Sequence, residues 1–354
     1  MTYRITGEDR ARFKRCRRQW DFGSPHRRDL EPIASPDPSV AAAVADALAV
    51  YYYPGTWDWP RELTQSLVHK ALERALEGGA EPGTLQTAAA VIDCYDAWAS
   101  TVDDFAPIRI EHDVSGLVPD PQDPARGLST ADGIPVIYGA RVELLAIDTA
   151  DEYWVIRHQI VDDWQDTDAL LRDEDAVAAC WAWEQDYMGM DIAGTVHNEI
   201  RIGGPLQMPA RAGEKSGRQV SGNEPSGGGR SIPQHRRTYT RPSEPHGDKR
   251  IEQFNAGIVR RTRIRRGREE IAAVGAQLGL EAVEMLSDPA IYPTPAAHCL
   301  LCEFSAPCLA MMAGLDAEPL LDKDFHRHPS EYERRPRLGQ ATWGFGRGAA
   351  PPQW

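Results

Sequence analysis

The chain has 354 residues and a net charge of −14, from 39 basic and 53 acidic side chains, with 42% hydrophobic residues, 30 Gly and 27 Pro. That length accommodates two or three domains of roughly 100–200 residues, or one large domain with inserts, and the composition excludes a collagen-like or wholly disordered chain. No apolar run approaches the roughly 20 residues that cross a bilayer. The start, Met1-Thr2-Tyr3-Arg4, lacks the apolar core of a signal peptide, so a soluble, cytoplasmic protein with no membrane partner is expected.

Charge is unevenly spread. Residues 1–32 hold nine Lys/Arg and five acids, and residues 201–270 hold sixteen and seven, so the rest of the chain is strongly acidic. Basic patches on an acidic body can grip a phosphate backbone locally, so net charge neither demands nor excludes DNA.

In chain order, Thr6 with Asp9 three residues on is a capping pattern that predicts a helix over 6–20, with Phe13, Cys16 and Trp20 on one face. Helices are also predicted over 62–77 and 85–100, the second with Leu85, Ala88, Ala89, Ile92, Tyr95 and Trp98 as its apolar face. The stretch between Pro119 and Pro135 is turn-rich. Residues 136–147 and 152–160, rich in Val, Ile, Leu, Tyr and Trp, read as a β-hairpin turned by Asp148-Thr149-Ala150-Asp151. A helix over 174–188 and a strand near 192–202 follow, an order that suggests an α/β or α+β sheet with flanking helices. Residues 203–250 carry Ser226-Gly227-Gly228-Gly229-Arg230-Ser231, many Pro and few large apolar residues, and read as a disordered insert. A helix is then predicted over 254–286, with Ile264, Ile271, Val274, Leu278 and Met285 as an apolar stripe and Arg261, Arg265 and Arg268 as a basic stripe beside it. Six arginines fall between Arg260 and Arg268 without an acid. Such a run reads either as a solvated helix face or as a set of phosphate contacts. The tail after Gly314 reads as irregular.

The six cysteines are Cys16, Cys94, Cys180, Cys299, Cys302 and Cys308. In a cytosolic chain, closely spaced cysteines are more often metal ligands than disulfides. His298-Cys299-Leu300-Leu301-Cys302 followed by Cys308 is a C-x2-C-x5-C cluster preceded by His. Three thiolates leave a fourth ligand to be found for a tetrahedral zinc or a cubane iron–sulfur cluster. His298 is the local candidate, and Cys16, Cys94 and Cys180 are the distant ones. Cys94 and Cys180 sit in apolar helical stretches and read as small core residues.

The segment from Thr6 to Trp20, with Cys16 among Arg12, Lys14, Arg15, Arg17 and Arg18, resembles the opening helix of iron–sulfur nucleases of the RecB-like PD-(D/E)XK superfamily, the group that includes AddB subunits and CRISPR-adaptation exonucleases. These pair one N-terminal cysteine with a C-terminal C-x2-C-x5-C in an aromatic and proline context, here Tyr292-Pro293-Thr294-Pro295, Phe304 and Pro307. The resemblance implies a [4Fe–4S] cluster on Cys16, Cys299, Cys302 and Cys308. It also implies a restriction-endonuclease-like mixed sheet flanked by helices, with the N- and C-terminal ends joined by the cluster. Residues 1–202 would form the N-terminal helices and nuclease-fold core, 203–250 the insert, 251–313 the basic helix and cysteine cluster, and 314–354 the tail.

Metal-dependent phosphodiester hydrolysis needs hard oxygen ligands for Mg²⁺ and a Lys nearby. The resemblance puts these on the hairpin. Glu143 in Gly139-Ala140-Arg141-Val142-Glu143 stands where the family has Asp. In Val155-Ile156-Arg157-His158-Gln159-Ile160, Arg157 stands for the acid and Gln159 for the lysine. His69 matches the upstream histidine, and the helix that usually bears Gln and Tyr reads Ala176-Val177-Ala178-Ala179-Cys180-Trp181. Arginine puts a permanent positive charge where a cation should bind, so an inactive or impaired site is expected, with an ion pair between Glu143 and Arg157. Mg²⁺ would be needed only if the site were live. The function expected is DNA binding or processing, DNA repair included, with DNA and a helicase or other DNA-processing protein as partners and Arg261, Arg265 and Arg268 as phosphate contacts. The alternatives are an active metal-dependent exonuclease and an iron–sulfur scaffold or redox sensor that does not bind DNA.

Overall fold

The computed structural model describes residues 2–33, 39–77, 80–202 and 250–327. The predicted insert, apart from residue 250, and the tail beyond residue 327 lie outside the described residues. The chain opens with β1 (Tyr3–Thr6), α1 (Gly7–Arg15), α2 (Arg17–Gly23) and β2 (Leu30–Pro32). Three helices follow, α3 (Val40–Tyr51), α4 (Arg61–Ala75) and α5 (Thr84–Val102), then the long β3 (Phe105–Leu117) and the small hairpin β4 (Pro119–Asp120) and β5 (Asp123–Gly127). The centre comprises β6 (Val136–Asp148), β7 (Tyr153–Val161), α6 (Thr167–Leu171), α7 (Glu174–Asp186) and β8 (Ile192–Arg201). The last part holds β9 (Ile251–Ala256), β10 (Val259–Arg265), α8 (Arg268–Leu286), α9 (Ser305–Met312), α10 (Glu318–Asp324) and β11 (Phe325–Arg327).

The protein is α/β, with a seven-stranded mixed sheet between helices. β6 is its spine. One edge pairs antiparallel with β3 from Ile137 to Asp148. The other edge is shared: β1 runs parallel along Val136–Gly139, and β7 runs antiparallel along Leu144–Ile147. Residues 140–143 therefore sit at a fork, where β7 has left β6 to run parallel with β8. β8 pairs antiparallel with β10, and β10 with β9.

Successive strand residues point to opposite faces, and each face carries its own core. Leu144, Ala146, Trp154 and Ile156 pack with α3, α4 and α5. Leu145 and Val155 pack on the other side with α1, α7 and α8. α7 and α8 approach closely because Gly275 lies under Trp181, where a Cβ would come within 2.3 Å of the indole nitrogen. A third, smaller cluster joins Phe22, Phe304, Leu321 and Phe325, and β2 pairs with β11 beside it.

The hairpin at 148–151 forms as predicted, and its turn is built by one side chain. Asp148 accepts from the backbone N–H of Ala150 and Glu152 at 2.8 and 3.0 Å and from the Trp154 indole at 2.9 Å. Thr6 caps α1 by accepting from the Asp9 N–H at 3.2 Å. The helix predicted over 6–20 is broken at Cys16, whose extended φ of −161° and ψ of 116° separate α1 from α2.

Two further expectations are corrected. The helix predicted over 254–286 begins only at Arg268; residues 251–265 are two strands turned at Gly257, whose φ is +59°. Val259, Thr262 and Ile264 are β-branched and buried in the sheet, which suits a strand better than a helix, and Gly267 starts α8 while Glu270 accepts from its N–H at 3.3 Å. Ile264 thus belongs to the sheet, and of the predicted stripe Ile271, Val274, Leu278 and Met285 line α8. The tail past Gly314 is ordered as α10 and β11 as far as residue 327. The edge strand β3 has no counterpart in the sequence reading, because its pattern is interrupted by a register shift between Pro107 and Arg109 and by Glu111 at φ +47°.

Candidate functional site

Cys16, Cys299, Cys302 and Cys308 line a single cavity of about 130 Å³. Local structure puts each sulfur there by a different route. Cys16 occupies the break between α1 and α2 and is 7% exposed. Cys299 lies in a 3-10 turn spanning Ala297–Leu301, Cys302 ends that turn, and Cys308 lies on α9. The Thr294 backbone N–H donates to Cys16 Sγ at 3.4 Å, and Arg18 donates to Cys308 Sγ at 3.7 Å. Burial raises the Cys302 thiol pKa, and the charges that Cys16 and Cys299 would carry as thiolates push the same way. His298 also lines the cavity, and its Nε2 is buried without a hydrogen-bond partner. Phe22, Pro293, Pro295, Phe304 and Met312 make most of the remaining wall apolar. Cys94 and Cys180 are apart from it, at 1% and 0% exposure in the two opposite cores. Among the described residues no three His, Cys, Asp or Glu side chains converge as one metal ion requires.

The second constellation sits at the fork of the sheet. Glu143 is the last residue of β6 before its pairing with β7 begins, and Arg157 lies just beyond that pairing on β7. The two approach to 3.9 Å, but Arg157 has a closer partner, Asp173, at 2.8 Å. Glu143 also accepts from the His158 backbone N–H at 2.8 Å. Asp173 does two jobs, since its other oxygen caps α7 by accepting from the Ala176 N–H at 3.1 Å. The expected Glu143–Arg157 pair is thus the weaker half of a triad. Asp173 stands just before Glu174-Asp175-Ala176, a position that suits an N-cap but gives no sign of its contact with Arg157. His197 is fully buried beside it, with Nδ1 3.8 Å from Asp173. Burial lowers its pKa to about 4, against the pull of Asp173, so it is neutral at pH 7.

Of the other hairpin positions, Gln159 accepts from the Gln165 side chain at 3.1 Å. His69 is not at the fork. It sits on α4 and meets Asp93 of α5 at 3.1 Å. His158, between Arg157 and Gln159, faces the opposite core and bonds to Tyr95 Oη and the Asn198 amide, both at 3.2 Å.

The arginine run is the largest correction. On β10 and the start of α8, every arginine meets a carboxylate from elsewhere in the chain or helix: Arg260 with Glu199, Arg261 with Asp103, Arg263 with Asp104, Arg265 with Glu152, Arg266 with Glu270, and Arg268 with Glu184. Arg261 is 1% exposed and also donates to Asn198 at 2.7 Å, so it is a core residue and not part of a phosphate-facing stripe. Arg265 and Arg268 remain about half exposed, at 53% and 57%. Alternating burial on a strand, and the acidic remainder of the chain, account for this outcome. No helix among the described residues is long and apolar enough to cross a membrane. No protein-family model matches this chain, and no curated protein matches it.

Proposed function

We propose that the chain is an iron–sulfur protein with the RecB-like nuclease fold that no longer cuts DNA and serves DNA processing as a binding or bridging component. In this reading a [4Fe–4S] cluster on Cys16, Cys299, Cys302 and Cys308 staples the two ends of the fold. The observation that carries it is the convergence of four thiols, from residue 16 and from residues 299–308, on one largely apolar cavity. Four thiolates match a cubane cluster, which takes one cysteine per iron; a tetrahedral zinc would instead be satisfied by three of them with His298.

The fork supports loss of cutting. A cation site needs convergent carboxylates left free for the metal, whereas Glu143 and Asp173 are both engaged by Arg157. A guanidinium is never deprotonated at neutral pH, so Arg157 permanently offsets one of the two carboxylate charges that a Mg²⁺ would need.

Anaerobic purification with iron and sulfide quantification tests the cluster: brown protein with about four of each per chain is expected. Colourless protein with stoichiometric zinc would sink it and promote His298 to a ligand. Incubation with DNA and Mg²⁺ or Mn²⁺ should give little or no cleavage. Robust cleavage abolished by Glu143→Ala would make the site live.

A second reading, an iron–sulfur scaffold or redox sensor that does not bind DNA, is favoured by the pairing of every arginine from Arg260 to Arg268 with an acid. Salt-titrated DNA binding separates the two. A linear fall of log K with log salt belongs to the first, and no measurable binding at low salt to the second.

A further inference from the structure

Around the cysteine cavity, the cations of the first two helices and the loop after them, exposed Arg15 apart, are engaged by carboxylates. Arg12 pairs with Glu8 and Glu303, Lys14 with Glu174 and Glu281, Arg17 with Glu284, Arg27 with Asp21 and Asp288, and Arg28 with Glu318. Arg18 differs. Its backbone N–H donates to Tyr292 O at 3.2 Å, its guanidinium lines the cavity, and Nη1 donates to Cys308 Sγ at 3.7 Å. Its Nε is buried without a hydrogen-bond partner. Among the described residues none of the carboxylates that hold its neighbours reaches it. A partly buried guanidinium without a counter-charge is costly unless an anion faces it. Four cysteine thiolates around a cluster supply that anion, and one-electron reduction makes the anion more negative.

We propose, resting on the cluster reading above, that Arg18 sets the reduction potential of the site through Cys308, and that the cluster therefore exchanges an electron under mild conditions instead of serving only as a staple. The step is simple in its balance. One electron from a low-potential donor enters the cluster, no bond to protein forms or breaks, and no proton is required. The added negative charge is stabilised by the fixed positive charge of Arg18 and by its N–H donated to the ligand sulfur, both of which raise the potential. Arg18 acts through a ligand and is a tuning residue, not a catalytic one.

The test is an anaerobic redox titration of the full chain with dithionite, followed by the electron paramagnetic resonance signal of the reduced cluster, on wild type, Arg18→Gln and Arg18→Lys. Gln keeps an N–H but removes the charge, and Lys keeps the charge. At the wild-type midpoint, the reduced-to-oxidised ratio should fall at least tenfold in Arg18→Gln, which is a downward shift of about 59 mV for one electron, and fall less in Arg18→Lys. Iron content should match wild type in both. A ratio within twofold of wild type in iron-replete Arg18→Gln overturns the proposal. Loss of iron from both variants also overturns it, by making Arg18 an assembly residue. Wild type without iron or sulfide fails earlier and differently, because it removes the cluster reading itself.

Discussion

Single side chains carry unusual weight where they close a turn or hold a buried network. Asp148 is 7% exposed and satisfies two backbone N–H groups and the Trp154 indole at once. Asp148→Ala leaves these donors without their acceptor, and each buried orphan costs about 1–3 kcal/mol. A loss of at least about 2 kcal/mol in urea-unfolding free energy is expected, and a change under about 0.5 kcal/mol would mean that water replaces the carboxylate. His158 offers a different readout. Burial, and then the nearby charge of Arg261, push its pKa down to about 3, whereas an unfolded histidine titrates near 6.5. Between those values the unfolded chain binds a proton that the folded chain does not, so this residue's contribution to stability falls as pH drops through that window. The slope is about 1.4 kcal/mol per pH unit. His158→Gln removes it, and the variant's unfolding free energy should depend on pH between 4 and 6 less steeply than wild type by about that amount. Equal slopes would show that His158 takes up its proton while folded.

At the scale of elements, β10 shows how a strand sorts its charges. Arg261 points into the core, where it meets Asp103 and Asn198 and lies 4.7 Å from the Trp98 ring centre. Arg265 and Arg268 pair at the surface. Removing one member of a fully buried pair costs about 3–5 kcal/mol, while exposed pairs contribute about 0–1 kcal/mol. Arg261→Gln should therefore unfold at markedly lower urea, and Arg265→Gln and Arg268→Gln should stay near wild type. Similar losses for all three would contradict the sorting. The fork between β6 and β7 is read the same way. Arg157→Ala removes the guanidinium that meets both Glu143 and Asp173 and should destabilise the fold, by less than the fully buried figure because all three groups are partly exposed. Changing Glu143 to Gln together with Arg157→Ala should recover part of that loss. An additive double variant would show that the two residues do not interact.

At the scale of the whole molecule, the opening segment and the last described segment of the chain are held together directly. β2 pairs with β11, and Phe304 stacks on Phe325 with ring centres 4.9 Å apart while meeting Phe22 at 5.2 Å. If a cluster joins the ends as well, its binding adds to folding free energy. Cys16→Ser and Cys302→Ser should then lose iron equally and lower the melting temperature equally. The seven-stranded sheet should keep its far-ultraviolet dichroism in both, because its two cores do not depend on the cavity. Cys94→Ser and Cys180→Ser should keep full iron. Retention of iron by Cys16→Ser would remove the long-range ligand.

Local pattern was enough for the hairpin, the cap at Thr6, the helix of Glu174–Asp186 and the strand beside it, because period-two and period-3.6 burial and turn chemistry are written in neighbouring residues. It also singled out Cys16 and the three late cysteines, by composition and by resemblance. It did not tell strand from helix across Arg260–Arg268, where arginine, a good helix former, alternates with β-branched residues that suit a strand, and the contacts that hold the arginines come from Asp103, Asp104, Glu152 and Glu199, far along the chain. The partner of Arg157 was hidden for the same reason: Asp173 is recognisable as a helix cap, but only the divergence of β7 from β6 turns it toward the fork. Tertiary structure alone decided which charges neutralise one another and which sulfurs share a cavity, because those interactions depend on distance in space, and the segments that supply them are separated by tens to hundreds of residues.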